Sequence, residues 1–185
     1  MGLVHYPVYN KNHERIASAI TTIDLHDLAR LARTYLVKRY FVITPLEDQQ
    51  QLAERVIRHW TTGYGAVYNR HRKEAMERVE VVPALEASLN RIHVWEDESP
   101  LLITTDAASQ PIRPITYEGT RRILQTDERV VFLLFGTAWG LDLSLVSGAD
   151  YALDPIYGKT DYNHLSVRTA AAIILDRLVG TRPER

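Results

Sequence analysis

The stretch VVFLLFGTAWGL, residues 130–141, carries the strongest strand signal in the chain and the glycine-bounded turn that follows it. Its first six residues are all apolar and rich in the β-branched and aromatic types that favour extended backbone. Gly136 and Gly140 come next, and glycine allows a sharp change of chain direction. A helix is predicted over residues 138–146. This succession of buried strand, glycine turn and helix is typical of a parallel α/β sheet.

The same alternation of strand and helix continues on both sides of this stretch. Strands are predicted at residues 3–9, 40–44, 79–83, 101–105, 130–135 and 150–154. Helices are predicted after Asp24, which is the expected N-cap, and at residues 46–60, 84–95, 117–124, 138–146 and 164–178. Glycines favour a loop at residues 61–75, and two prolines favour a loop at 105–116. We therefore expect one domain, residues 1–185, with a mostly parallel six-stranded sheet and helices on both faces.

The composition excludes several classes of protein. The 185 residues include no Cys, which rules out disulfides, cysteine nucleophiles and thiolate metal sites. The seven His are scattered without metal-binding spacing, so no metal is predicted. A net charge of −1 provides no general basic field, so any contact with nucleic acid must come from a local patch. Neither a signal peptide nor a membrane-length apolar run is present, which predicts a cytoplasmic protein that does not span a membrane.

Loops that follow predicted strands are the candidate ligand sites, because ligands of open parallel sheets bind beyond the carboxyl ends of the strands. Such loops span residues 104–106, 135–140 and 154–164. The second has neither a dinucleotide fingerprint nor a P-loop ending, and its glycines alone favour an ordinary turn over a ligand site. The third is long and polar, and Asp161 or Asn163 is predicted to cap the helix that follows it. Capping and ligand binding are compatible there.

The third loop and its helix read PIYGKTDYNHLSVRTAAAI, residues 155–173, and this run resembles motif three of the SPOUT methyltransferases. That motif is a Pro-Met-x-Gly segment followed by Ser-Leu-Asn-Val-Ser-Val and an apolar helix. The matching residues are Pro155, Gly158, Leu165, Ser166 and Val167. FGTAWGL, residues 135–141, resembles motif two through Gly136, Gly140 and Leu141. DLARLART, residues 27–34, is similar to the Asn-x5-Arg-Thr of motif one, with Asp27 in place of Asn.

The resemblance implies an α/β fold whose C-terminal segment forms a deep trefoil knot. It also implies S-adenosylmethionine as the cofactor, bound in that knot with its adenine in an apolar slot. The residues that would bind this cofactor are Thr104, Thr105, Phe135, Gly136, Gly140, Leu153, Asp154, Pro155, Ile156, Asn163, His164, Leu165 and Ser166. No metal is implied.

The implied reaction is methyl transfer to a base or a ribose 2′-OH of tRNA or rRNA. Arg33 lies at the arginine of motif one and is predicted to be catalytic, with Arg30 as its possible substitute in contacting substrate. His164 stands where motif three has Asn, and it is predicted to act as a base. Ribose-methylating members commonly carry an acidic residue before the Gly-Leu pair of motif two. Residues 137–139 carry none, which leaves base methylation open.

RNA contact is predicted where aromatic and cationic residues alternate, because such a surface can stack bases and neutralise phosphates. The predicted contact residues are Arg30, Arg33, Tyr68, Arg70, Arg72 and Lys73.

The resemblance further implies a homodimer. Two other hypotheses stay open: a non-catalytic knotted module that binds a nucleotide or a protein partner, and a flavodoxin-like regulatory domain without the knot or the cofactor.

Overall fold

The computed structural model describes residues 1–110, 112–127, 129–160 and 162–181. Its strands are β1 (Gly2–Val4), β2 (Val8–Tyr9), β3 (Arg15–Ile16), β4 (Tyr40–Ile43), β5 (Val79–Val82), β6 (Leu101–Thr105), β7 (Pro114–Ile115), β8 (Val131–Gly136) and β9 (Tyr151–Leu153). Its helices are α1 (Thr22–Thr34), α2 (Glu47–Thr61), α3 (Tyr64–Tyr68), α4 (Arg70–Met76), α5 (Leu85–Glu96), α6 (Tyr117–Thr126), α7 (Leu143–Gly148) and α8 (Val167–Val179).

Within the described residues, seven strands form one sheet in the order β5-β4-β1-β8-β6-β9-β7. Every pairing in this sheet is parallel, which confirms the predicted α/β fold. The strand count of six was wrong by one. The single strand predicted at 3–9 was also wrong, because Pro7 lacks the N–H that a strand ladder needs. The chain instead forms β1 and then β2, which pairs with β3 in a separate antiparallel hairpin.

The additional strand of the main sheet is β7, which lies in the segment predicted as an irregular loop. β7 is an edge strand, and its neighbour β9 donates to it: Ala152 N–H to the Arg113 carbonyl at 3.0 Å and Asp154 N–H to the Ile115 carbonyl at 2.9 Å. Pro114 can occupy this strand because these two bonds require carbonyl acceptors and no N–H from the proline.

One loop prediction and two helix predictions also need correction. Residues 61–75, predicted as a loop, contain α3 and α4, and Asn69 caps α4 by accepting from Arg72 N–H at 3.0 Å. The helix predicted at 138–146 begins only at Leu143, because Ala138 and Gly140 have φ of 51° and 101°, outside the helical range. The helix after Asp24 is capped by Thr21 instead of Asp24.

Helices cover both faces of the sheet, as predicted. On one face, α1, α4 and α8 pack against strand residues such as Leu3, Val42 and Ile103. On the other face, α5 and α7 pack against Phe41 and Phe132. The central strands are therefore buried on both sides, which explains why they read as continuous apolar runs.

The position of β9 determines how the loops meet at the carboxyl end of the sheet. β9 lies between β6 and β7, although β6 and β7 are consecutive strands in the chain. The chain that joins them must therefore cross from one side of β9 to the other. Its first residues meet the segment after β9, since the side-chain amide of Asn163 donates to the Ala107 carbonyl.

Candidate functional site

A cavity of about 580 Å³ opens at the carboxyl ends of β6, β8 and β9. All three loops that were singled out as ligand sites contribute to it, as do the loop before α1 and the first turns of α1 and α8. Its size lies within the range of about 300–1,000 Å³ that is usual for sites binding drug-sized molecules. The lining residues are Ser18, Ala19, Thr21, Asp24, Thr105, Asp106, Ala107, Phe135, Gly136, Thr137, Ala138, Trp139, Gly140, Asp154, Pro155, Ile156, Asn163, His164, Leu165, Ser166, Val167, Arg168, Ala170 and Ile174.

Residues 135–140, which we call the FGTAWG loop, form one wall of the cavity. A Cβ on Gly136 would lie 2.8 Å from the backbone nitrogen of Leu141, so the chain can fold back here only at a glycine. Gly140 has φ of 101°, which side chains rarely allow. These two positions are therefore fixed by local geometry, and the turn they make brings the backbone to the cavity surface.

The β2–β3 hairpin, residues 8–16, holds the FGTAWG loop from outside. Tyr9 N–H donates to the Gly140 carbonyl at 3.0 Å, and Trp139 N–H donates to the Tyr9 carbonyl at 2.9 Å. Arg15 makes a bidentate pair with Asp142, with both distances 2.9 Å. Burial acts to raise the pKa of Asp142, but hydrogen bonds from Arg15 and Ser144 outweigh it and lower that pKa to about 2.

The loop after β9, residues 154–166, contributes residues 154–156 and 163–166 to the cavity lining. The side-chain amide of Asn163 donates to the Ala107 carbonyl at 2.6 Å and so ties this loop to the one after β6. Ser166 caps α8 by accepting from Thr169 N–H at 3.3 Å. His164 is exposed, with the Tyr162 ring edge-on at 5.2 Å. Asp161, the other predicted cap, lies outside the described residues.

The structure brings most of the predicted cofactor-binding residues together in this cavity. Two are not among its lining residues. Thr104 is buried, with its hydroxyl donating to the Tyr151 carbonyl at 3.4 Å, and Leu153 belongs to the core. Each of the two residues immediately precedes a lining residue, Thr105 or Asp154, so β6 and β9 still lead into the cavity.

Sequence reasoning missed the contribution of the loop before α1, which supplies Ser18 and Thr21, and of the first turn of α1, which supplies Asp24. It also missed Arg168 in α8, whose guanidinium pairs with Asp24 at 2.5 Å and with Asp27 at 3.6 Å. Asp24 is nearly buried and also accepts from the Thr21 hydroxyl at 2.6 Å. The charges of Asp24 and Arg168 can be seen in the sequence. Their pairing cannot, because the two residues are 144 positions apart.

A short hydrogen-bonded chain of side chains lies beside this ion pair. His5 Nδ1 is 3.0 Å from Ser18 Oγ, which is 2.6 Å from Thr137 Oγ1, and the Thr137 hydroxyl donates to the Val4 carbonyl at 3.0 Å. His5 is fully buried, and this burial lowers its pKa to about 4, although the Asp24 carboxylate and nearby backbone carbonyls act in the opposite direction. The imidazole is therefore neutral at physiological pH.

The predicted catalytic Arg33 and the predicted RNA-contact residues do not line the cavity. Arg33 lies near the end of α1 and pairs with Glu74 at 3.3 Å, and Arg70 pairs with the same carboxylate at 3.3 Å. Arg72 lies over the Trp60 ring at 4.6 Å, and Lys73 is 3.8 Å from Glu77. Together with Arg30 and Tyr68, these residues form what we call the α1–α4 basic surface.

The described residues lack two features that would indicate other kinds of site. No three or more His, Asp and Glu side chains among them are arranged to hold a metal ion. No helix in that part of the chain has both the length and the apolar character to cross a bilayer.

Comparison with known proteins identifies the family. A model of the family described as SAM-dependent RNA methyltransferase matches residues 1–180, and the chain belongs to this family. It is 38% identical over 178 residues to a protein of Aquifex aeolicus described as uncharacterized, covering 96% of this chain and 86% of that protein.

A longer relative carries a more specific name. The chain is 41% identical over 179 residues to a protein of Oleidesulfovibrio alaskensis named tRNA (guanine-N(1)-)-methyltransferase. The match covers 97% of this chain but only 41% of that relative. The chain thus spans about two fifths of that protein, and most of the named enzyme lies outside the match.

Solved structures show the same fold. The SpoU methyltransferase AviRb of Streptomyces viridochromogenes, in complex with AdoMet, superposes with a TM-score of 0.55 at 13% identity, over 97% of this chain and 59% of that one. The TrmH/SpoU tRNA modifying enzyme of A. aeolicus superposes with a TM-score of 0.52 at 16% identity, over 87% and 70% of the two chains. The fold is therefore that of the SPOUT methyltransferases.

The cavity suits the cofactor of this family. Ile156, Leu165 and Pro155 provide apolar surface for an aromatic base, and the backbone approaches closely at Gly136 and Gly140. Polar groups converge from Thr105, Asp106 and Asp154. Small-molecule sites in proteins are usually apolar clefts with a few polar groups that fix the orientation of the ligand.

Proposed function

We propose that this chain binds S-adenosylmethionine in the cavity and transfers its methyl group to a tRNA or rRNA, at a base or a ribose 2′-oxygen. The observation that carries this proposal is the convergence of the FGTAWG loop and the loop after β9 on one cavity of suitable size, in a chain of this family. The name of the longer relative favours tRNA. We expect the enzyme to act in the cytoplasm.

When bound, S-adenosylmethionine supplies a methyl group activated by its positive sulfur. The chain must hold the accepting RNA atom in line with that methyl and accept the proton that the atom releases as its new bond to carbon forms. We assign proton acceptance to His164, which is exposed at the cavity edge, because a neutral imidazole has a ring nitrogen whose lone pair can accept a proton. Asn163 and Ser166 keep the loop around His164 in place.

RNA binding is assigned to the α1–α4 basic surface. Tyr64 and Tyr68 stack on each other at 6.0 Å and are both about three-quarters exposed. Exposed aromatic rings beside arginines favour single-stranded or flipped-out nucleotides. Glu74 and Glu77 neutralise part of this surface, so its affinity for RNA is expected to be moderate.

A homodimer is part of the proposal, because one chain alone does not place Arg33 at its own cavity. Asp24, near the start of α1, lines the cavity, whereas Arg33 lies nine residues further along that helix, about 13 Å away along its axis. A second copy would present its own Arg33 to the first copy's cavity. Arg33 is then the predicted catalytic residue supplied by the partner.

The trefoil knot is also proposed. It is supported by the insertion of β9 between β6 and β7, by the bond from Asn163 to Ala107 in the segment after β6, and by the packing of α8 against α1.

The test is methyl transfer from labelled S-adenosylmethionine to total tRNA and to rRNA taken from a strain that lacks the gene. We expect one of these RNA pools to be labelled by the wild-type protein and not by the Leu165→Asp variant, which places a charge on the apolar wall. Cofactor binding without labelling of either pool would instead favour the non-catalytic module, for which the absence of an acidic residue at 137–139 is the supporting observation.

A further inference from the structure

The hydroxyl groups of Ser18 and Thr137, both in the cavity wall, belong to one hydrogen-bonded chain. The Thr137 hydroxyl donates to the Val4 carbonyl, which can only accept. In this arrangement Thr137 Oγ1 accepts the hydrogen of Ser18, and Ser18 Oγ accepts from His5 in its Nδ1–H tautomer; in the reverse direction both hydroxyl hydrogens are used within the chain as well. Every hydrogen in this chain is used inside the protein. Toward a ligand, the two hydroxyl oxygens can offer only lone pairs.

Asp106 adds a negative charge with a fixed orientation to the same cavity. Its Oδ1 accepts from Ala108 N–H at 2.8 Å, which holds the carboxylate in a tight turn. Its Oδ2 lies 3.3 Å from the position that a Cβ on Gly140 would take, so this oxygen lies against the FGTAWG loop. The carboxylate is half-buried.

The positive charge of Arg168 does not offset Asp106. Among the described lining residues, Arg168 is the one Lys or Arg side chain, and its guanidinium is already paired with Asp24 and Asp27. Asp154 also lines the cavity. The wall as a whole therefore presents carboxylates and lone pairs, a surface that attracts a cation or a hydrogen-bond donor.

We propose that this wall recognises the positive reacting centre of the cofactor, with Asp106 as the residue that determines this specificity. The inference rests on the proposed function and extends it to the choice between substrate and product. S-Adenosylmethionine carries a sulfonium cation, whereas S-adenosylhomocysteine has a neutral thioether at the same place. A half-buried carboxylate near that atom is expected to favour the charged form by about tenfold in affinity. The product is thereby released more readily than the cofactor.

The experiment measures dissociation constants by isothermal titration for three ligands on ligand-free protein. The ligands are S-adenosylmethionine, S-adenosylhomocysteine and sinefungin, in which an ammonium-bearing carbon replaces the sulfonium. The variant is Asp106→Asn, whose amide oxygen can still accept from Ala108 N–H and so preserves the turn. The control is Asp48→Asn, which removes an exposed carboxylate from α2 outside the cavity.

We expect the wild-type protein to bind both cationic ligands about tenfold more tightly than S-adenosylhomocysteine. Asp106→Asn should remove most of this preference. It should weaken the binding of the two cationic ligands and leave the affinity for S-adenosylhomocysteine within about twofold of the wild-type value. Asp48→Asn should change none of the three affinities. Equal wild-type affinities, or an Asp106→Asn variant that weakens all three ligands alike, would overturn the inference and leave the proposed function standing. Failure of all three ligands to bind the folded wild-type protein would overturn both.

Discussion

Gly136 is the last residue of β8 and the point at which the chain turns into the FGTAWG loop that lines the cavity. A methyl group there would meet Leu141 N at 2.8 Å and Gly140 C at 3.1 Å, both backbone atoms that cannot rotate away. We expect Gly136→Ala to lower the free energy of unfolding by about 1–3 kcal/mol and to weaken cofactor binding, because the FGTAWG loop must shift. Urea denaturation and isothermal titration measure the two effects.

Gly148→Ala is the matched control, since a Cβ on Gly148 meets nothing within 4 Å. It should leave binding unchanged and stability unchanged or slightly raised. Equal destabilisation by the two substitutions would show that the close approach to Leu141 is not what requires glycine at position 136.

His5 makes the stability of the fold dependent on pH. Its pKa is about 4 in the folded chain and near 6.5 when unfolded, because burial disfavours the charged ring. Between these values the unfolded chain binds the extra proton, so stability should fall as the pH is lowered from about 6.5 to about 4. The loss amounts to roughly 3 kcal/mol. It is measured by urea denaturation across this pH range.

His5→Asn separates the charge of His5 from its hydrogen bond. The asparagine amide can still donate to Ser18, but it does not titrate. The variant should therefore show a flatter stability profile between pH 4 and 6.5. A profile as steep as that of the wild type would assign the pH dependence to other groups.

At the scale of elements, the first turns of α1 and α8 are joined by the Asp24–Arg168 pair. Asp24 is nearly buried, whereas Arg168 is about one-third exposed. Removing Arg168 leaves the nearly buried Asp24 without its counter-charge, which is costly where water is limited, whereas removing Asp24 leaves Arg168 with the longer Asp27 contact. A double-mutant cycle with Asp24→Asn and Arg168→Gln should give a coupling energy of about 1–3 kcal/mol.

The Glu118–Arg122 pair on α6 is the matched control for that cycle. Its atoms are 3.6 Å apart and both side chains are about three-quarters exposed. Its coupling energy should be about 0.5 kcal/mol or less, since exposed pairs are screened by water. Equal coupling in the two cycles would contradict the view that burial makes the Asp24–Arg168 pair important.

Elements with a strong internal pattern could be predicted from the sequence. β6 was predicted with its observed bounds, and β4, α2 and α5 were predicted to within one residue at each end, because apolar periodicity is a local property. The short elements β7, α3 and α4 were missed. Each is too short for a pattern of its own, and contacts made elsewhere in the chain, such as the bonds that Ala152 and Asp154 donate to β7, stabilise them.

The residues of the candidate site also fall into two groups, those that could be predicted from the sequence and those that could not. The residues of the FGTAWG loop and of the loop after β9 could be predicted, because glycines and polar residues follow strands there. Ser18, Asp24 and Arg168 could not be predicted, since they meet only after β1 and β8 pair and α8 packs against α1. Distant sequence positions that share a cavity leave no local signal.

At the scale of the whole molecule, the cavity and the α1–α4 basic surface lie at different ends of α1. The proposed homodimer joins them, with the cavity of one copy receiving Arg33 of the other. This arrangement predicts complementation between two inactive variants. Arg33→Ala removes the proposed catalytic residue, and Leu165→Asp blocks the cavity while changing a partly exposed side chain that should not disturb the core.

Each variant alone should be inactive in the methyl-transfer assay. When the two are unfolded together and refolded as a mixture, about half of the dimers contain one copy of each, and one of their two sites combines an intact cavity with an intact Arg33. Activity should then recover to about one quarter of the wild-type level. If Arg33 acted on the cavity of its own chain, no site in the mixture would be complete, and mixing would restore nothing. The assay therefore decides between a site built within one chain and a site shared by two.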